Sequence, residues 1–201
     1  MSTTYNDLVS NIKSWCGRTD SQTLNAIPQF IAAAQTELDN GLRIGSMIVS
    51  TTYNTDAVSV DVSEYLEISS VTISGLVGTA TTYGDITGLR TVIARRPEIS
   101  GYDFHYAMNG NNIELTRPGA VEITGYQKPP RITSANQTNA YTEGAENALL
   151  WLSLYYCAMF AKDDAAAGWQ AMAAAEVNNL NASREQLAKT GTAKVKRRGY
   201  F

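Results

Sequence analysis

The sequence has one histidine, two cysteines and five prolines among its 201 residues, and each scarcity removes a class of function. An imidazole-based metal centre needs partners for His105, and neither a second histidine nor a nearby cysteine supplies one; Asp103 alone makes no site. Cys16 and Cys157 both sit in apolar periodic stretches and read as buried free thiols. A single disulfide between them stays open, but nothing points to a secreted disulfide scaffold. Long hydrophobic runs are absent too. The longest uncharged apolar block, Ala148 to Ala161, has 14 residues, which is too short for a membrane span and suits a buried helix. No basic segment followed by an apolar run opens the chain, so no signal peptide is expected. Neither a glycine-rich phosphate loop of the required form nor a nucleophile elbow occurs. The carboxylates Asp56, Asp61, Glu64, Glu67, Glu114 and Glu122 alternate with apolar residues, as on the solvated face of a half-buried sheet, and no acid–base pair stands out among them. The expectation is a protein that is not an enzyme and takes no cofactor or metal.

Charge is sparse but unevenly placed. Of the net −3, the stretch from Lys189 to Phe201 contributes five basic residues and no acid, which leaves −8 on the rest. An acidic body repels nucleic-acid phosphates, and a basic tail on it reads as an interaction arm. The last residues, "AKVKRRGYF", add Tyr200 and Phe201 to that charge. Terminal aromatics gain nothing in solvent and bury large apolar area once given a pocket. Lys194, Lys196, Arg197 and Arg198 can pair with a partner's carboxylates. Fully extended, the thirteen residues from Lys189 reach roughly 40 Å, enough to cross a neighbouring subunit.

The remainder divides by periodicity. Tyr5, Leu8, Val9, Ile12, Trp15 and Cys16 recur at helical spacing; Thr4 with Asp7 forms a capping-box pattern, and Gly17 offers a stop. After a loop in "RTDSQTLN", a second helix is expected from about Asn25 with Pro28 in its first turn, its apolar face running from Ile27 through Phe30 to Leu42. From Met47 the segments "IVSTTY", "AVSVDV", "SSVTIS", "GLRTVIARR", "YDFHYAM", "NIELTR" and "VEITGYQ" read as strands of an antiparallel meander, with "MNGNN" a hairpin turn. Helix returns near Thr142, first as the block to Ala161, which is apolar on nearly all sides and so must be surrounded, then as an alanine-rich helix capped by Asp163 or Asp164. The expected architecture is α+β: a helical bundle from residues 1–46 and 138–190, an inserted antiparallel β region over 47–137, and an extended C-terminal arm over 191–201.

Two further sets of residues are candidates for contact. Arg90, Arg95 and Arg96 lie near a strand end and form either a contact patch for phosphate or for a partner's carboxylates, or edge-strand charge that discourages aggregation. The large aromatics Trp15, Phe30, Trp151, Tyr155 and Trp169 belong to the subunit core or to an intersubunit contact.

The opening "TTYNDLVSNIKSWCGRTD…IPQFIAAAQTELDNGLR" resembles that of a family of tailed-phage head-to-tail adaptor proteins, through Tyr5, Leu8, Trp15, Arg18, Asp20, Ile27, Pro28, Phe30, Ile31, Leu42 and Arg43. "SEYLEISSVTISG", "ITGYQKPPRIT" and "ENALLWLSLYYCAMFAKDDAAAGW" are similar to later segments of that family, while Leu76 to Arg96 matches little. The resemblance implies a structural virion protein at the neck, made in the bacterial host cytoplasm. It would form a homo-oligomeric ring, a dodecamer in such adaptors, between the portal protein and a tail or nozzle protein. DNA would pass through the lumen without specific binding, and no membrane would be involved. The resemblance also implies that the C-terminal arm runs along the portal, with its aromatics as anchors. The same strip supports an alternative, a nucleic-acid-binding module in which Lys and Arg grip the backbone and Tyr and Phe stack on bases.

Overall fold

The computed structural model describes residues 3–55, 57–73, 75–95 and 104–190. The chain divides into two compact units. One combines Met1–Ser46 with Pro129–Phe201, and the other is Met47–Lys128. The described residues form six α-helices and two four-stranded sheets, a mixed α+β composition.

In the first unit α1 (Tyr5–Cys16) begins at a complete capping box. The Thr4 hydroxyl accepts from the Asp7 amide, and the Asp7 carboxylate accepts from the Thr4 amide at 3.0 Å. Gly17 ends it in the left-handed region, φ 60°, where a side chain is penalised. α2 (Ser21–Gly41) starts four residues earlier than Asn25, because Asp20 takes the N-cap and accepts from the Thr23 amide at 2.8 Å. The expected loop "RTDSQTLN" is therefore mostly helix, and Pro28 lies inside α2 rather than in its first turn. Only one hydrogen bond is forfeited there, and Ala26, Ile27, Phe30, Ile31, Ala34 and Leu38 keep the helix bound through a continuous buried face.

After the return, α4 (Ala140–Gly144) and α5 (Glu146–Ala161) are separate helices where one had been expected, broken at Ala145 (φ −148°, ψ 34°). Asn139 caps α4 and accepts from the amides of Tyr141 and Thr142. α6 (Ala166–Thr190) follows a tight loop in which the Asp163 carboxylate accepts from the Ala165 amide at 3.0 Å. α5 is the centre of this unit and packs against α1, α2, α4 and α6. Its apolar circumference is thereby covered mostly by its own chain.

A buried ionic knot joins the two halves of this discontinuous unit. Asp39 of α2, 5 % exposed, accepts from the Tyr141 hydroxyl at 2.8 Å and from Arg131 at 2.9 Å. Arg43 donates to the Asp39 carbonyl at 2.8 Å, and Arg131 reaches Thr36 as well. Burial, then the Asp39 carboxylate, raise the Tyr141 hydroxyl far above its ordinary pKa, so it remains a donor at any working pH.

The second unit holds β1 (Ile48–Thr55), β2 (Ser59–Asp61), β3 (Tyr65–Ile73), β4 (Leu76–Val77), β5 (Thr79–Ala80), α3 (Tyr83–Arg95), β6 (His105–Asn109), β7 (Asn112–Leu115) and β8 (Gly119–Gln127). The sheets have orders β1-β8-β3-β4 and β2-β7-β6-β5. This is not a meander. The last strand lies between the first and the third, and β5 pairs with β6 in parallel, so the second sheet is mixed. Val60, Val62, Val71, Ile73, Phe104, Ile113, Leu115, Val121 and Ile123 fill one core. The β3–β8 ladder slips twice, between Tyr65 and Glu67 and between Ile68 and Ser70. Gly125 sits at these bulges, where a Cβ would collide with the Glu67 carbonyl oxygen, so only glycine lets the strands approach.

The segment "GLRTVIARR" belongs mainly to a helix, α3, and not to a strand. Its β-branched residues suggested strand, but two stronger local signals favour helix. Thr82 and Asp85 form a cap, with the Asp85 amide donating to the Thr82 hydroxyl at 3.3 Å and that hydroxyl donating to the carboxylate at 2.6 Å. Ile86, Leu89 and Ile93 also recur at three and four residues, with Ile86 wholly buried.

Replacing Tyr141 by Phe leaves Asp39 one donor short and is expected to lower the unfolding free energy by about 1–2 kcal/mol. Asp39→Ala, which removes the acceptor of the buried Tyr141 hydroxyl and of the partly exposed Arg131, should cost about 2–3 kcal/mol. Urea unfolding at pH 7 measures both, and equal losses would show that the Arg131 contact contributes nothing.

Candidate interaction surface

The helical unit presents its apolar residues where α1, α5 and α6 meet. Trp15 lies in the last turn of α1, Trp151 in the second turn of α5 and Trp169 in the first turn of α6. These are all the tryptophans of the chain, and each touches the other two. Trp15 lies 5.1 Å from Trp151 and 6.0 Å from Trp169 between ring centroids; Trp151 and Trp169 stack at 5.7 Å and 13°. Offset stacking and tilted contact are the favoured arrangements of aromatic quadrupoles. Trp15 nevertheless keeps 51 % of its surface exposed. Beside it, Arg18 and Asp163 form a loose ion pair at 3.4 Å, each side chain 41 % exposed, which bridges the end of α1 to the start of α6.

The outer end of α5 exposes further apolar residues, on a different face of that helix from Trp151. Met159 is 52 % and Phe160 44 % exposed, and Phe160 leans on the buried Phe30 at 5.4 Å. Tyr155 and Tyr156 are half-buried and touch at 5.2 Å. The Tyr156 hydroxyl donates to Glu37 at 2.8 Å, and burial followed by that carboxylate pushes its pKa up to about 12. α6 adds length without side-chain bulk. Among its described residues only Ala173 is buried, while Ala167, Ala171, Met172, Ala174 and Ala175 are exposed. A groove of about 240 Å³ runs between α2 and α6 over Leu38, Leu152, Ala173 and Val177. Asn181 ties α6 to the end of α2 by donating to the Gly41 carbonyl at 2.9 Å and accepting from the Arg43 amide.

The arginine candidates separate. Arg90 lies on α3 and donates to the Leu115 carbonyl at 2.8 Å, the Val58 carbonyl at 2.9 Å and the Glu114 carboxylate at 2.8 Å. It therefore fastens α3 onto β7 inside its own unit. The edge-strand reading lapses for this residue because the segment is helical. Arg90's hydrogen bond, aided by Ser59, holds the buried Glu114 carboxyl below its usual range. Arg95 is exposed at the end of α3. Arg96 and the arm residues Lys194, Lys196, Arg197, Arg198, Tyr200 and Phe201 lie outside the described residues. Among the described residues no group of three His, Cys, Asp or Glu could hold a metal, and no helix is long and apolar enough to cross a membrane. His105 opens β6, half-buried, where its backbone exchanges hydrogen bonds with Thr116.

The five aromatics chosen from sequence all fall on this helical unit, and three of them form the tryptophan cluster. Sequence reasoning missed Met159, Phe160 and Met172 as surface residues. The signal was there in the excess apolar circumference of Ala148–Ala161, since four packed helices cannot cover the end of so apolar a helix.

A family model described as SU10 adaptor protein matches residues 3–197. No curated protein matches the chain.

Two measurements check this geometry. Trp169→Ala should lower stability by about 2–3 kcal/mol and abolish much of the near-ultraviolet circular dichroism that three coupled indoles produce. Trp15→Ala, at an exposed member, should cost less than half as much. For Glu114, the folded pKa is depressed, so its pairing contributes fully above about 4.5, the ordinary glutamate value, and is lost as pH falls through the lower folded value. Denaturant titrations at pH 7 and pH 3 should show that difference in the native protein and a smaller one in Glu114→Gln.

Proposed function

The chain belongs to the SU10 adaptor protein family, a family of phage head–tail adaptors, and from that premise we propose that it assembles as a ring between the portal and the tail. The family makes it a structural phage adaptor and a virion component, in a class that is generally non-enzymatic. Association with portal and tail proteins comes with that family. The proposed ring has twelve copies, extends the DNA channel at the neck of the virion and carries a docking surface for the tail.

The observation that supports a ring is the partly uncovered α5–α6 side of the helical unit. A closed ring is built from a head-to-tail interface, which needs two different patches on each subunit. The exposed Met159 and Phe160 at the end of α5 supply one patch with large anchors. The long alanine face of α6 supplies the other, because small side chains let a neighbouring helix approach closely. The helical unit is then both a bundle with its own core and the ring's contact surface. The body's net −8 outside the last thirteen residues suits a channel through which DNA slides without adhering.

The basic, aromatic arm is the proposed portal contact. Its cations pair with portal carboxylates, and Tyr200 and Phe201 fill apolar pockets there. A chain lacking residues 194–201 should keep the far-ultraviolet circular dichroism of the full-length protein and lose capture by immobilised portal. Undiminished capture would remove the arm from the interface, and electron microscopy of the full-length protein mixed with portal would show independently whether a ring forms.

A further inference from the structure

The chain's only two cysteines are separated by 140 residues in sequence and come together at one cavity in the fold. Cys16 is the last residue of α1, and Cys157 lies one turn before the end of α5. Both line one small cavity of about 80 Å³ beside Trp15, Trp169, Arg18 and Asp163. Cys157 is buried and Cys16 is partly exposed. The Cys16 thiol also points back over its own last turn, 3.5 Å from the Lys13 carbonyl. With no third cysteine in the chain, exchange within one subunit has a single product.

We infer that Cys16 and Cys157 form a disulfide site that a low-molecular-weight disulfide such as oxidised glutathione closes, stapling the end of α1 to α5 beneath the tryptophan cluster. Cys16, the accessible thiol, loses its proton and attacks one glutathione sulfur. The displaced glutathione thiolate takes up a proton, and a mixed disulfide remains on Cys16. Cys157 then loses its proton, attacks the Cys16 sulfur and expels the second glutathione as a thiol. Two protein thiols and one oxidised glutathione become one protein disulfide and two reduced glutathiones.

The second step is the slow one. Burial, and then the neighbouring Cys16, push the Cys157 thiol up to about 12. Little thiolate is present at neutral pH, so closure is slow there and speeds up as pH rises, about tenfold per unit. Once closed, the bridge encloses α2, the whole of Met47–Lys128 and α4 in one covalent loop. So long a loop restricts the unfolded chain strongly. The inference concerns the isolated chain and stands apart from the ring reading.

The test exposes the purified full-length protein to oxidised glutathione at pH 7, 8 and 9, then alkylates it in denaturant for intact-mass analysis. The expected product has lost two hydrogens, takes up no alkylating agent and runs as a monomer on a non-reducing gel. Its Tm should rise by about 5–10 °C, its tryptophan fluorescence should fall, and dithiothreitol should reverse both. Cys157→Ser should stop at one glutathione on Cys16, and Cys16→Ser should stay unmodified. If Cys157→Ser does not fold, Cys157→Ala serves in its place. A native protein that retains glutathione on Cys16, that links into dimers or that keeps two free thiols at pH 9 overturns the assignment.

Discussion

Asp39 brings a negative charge into the interior of the helical unit, and its partners come from chain segments on both sides of a long insertion. Asp39 sits near the end of α2, shortly before the chain leaves for Met47–Lys128; Arg131 and Tyr141 lie shortly after it returns. A buried carboxylate is costly unless it is paired and hydrogen-bonded, and here both oxygens are engaged. The charge therefore ties the return to α2 through Arg131 and Tyr141. Asn139 reinforces that tie by capping α4 and donating to the Pro130 carbonyl at 2.7 Å. With the return fixed, α5 enters the space between α1, α2 and α6, and apolar burial supplies most of the remaining stabilisation.

The inserted unit solves a related problem by different means. Its first strand pairs with its last, so the segment closes on itself and a hydrophobic core forms between its sheets. α3 contributes few apolar residues to that core, with Ile86 its only wholly buried side chain. Arg90 compensates by donating to two carbonyls and one carboxylate of the strands beneath. A residue that looked like a free contact charge thus holds a weakly amphipathic helix in place. Arg95, one turn further on, retains the exposure that a contact residue needs.

The helical unit has more apolar surface than its own packing covers, and the surplus is local. It lies at Trp15, at the end of α5 and along α6, while the opposite sides of α1 and α2 bury Leu8, Ile12, Ile27 and Ile31 completely. A protein that remained single would gain by replacing Met159, Phe160 and Met172 with polar residues. Exposed apolar residues of that size are what a protein built to associate shows. The family to which the chain belongs gives that association its setting in the phage particle.

Short-range information in the sequence determined the elements it could reach. The Thr4–Asp7 box, the stop at Gly17 and the helical faces of α1 and α5 depend on residues three to seven positions apart, and so are written locally. Most strand segments were legible from their alternation for the same reason. Where two local signals competed, the reading failed: the β-branched run of α3 concealed its cap, and Pro28 suggested a helix start that Asp20 had already provided. Contacts between residues far apart in sequence were decided only by tertiary structure. The pairing of β8 between β1 and β3, the meeting of residues 15, 151 and 169, the two thiols in one cavity and the burial of Asp39 all join segments that no periodicity connects. Composition names the residues able to make such contacts, but which pairs form depends on how whole helices and sheets share a limited interior, and that is settled only when all of them pack at once.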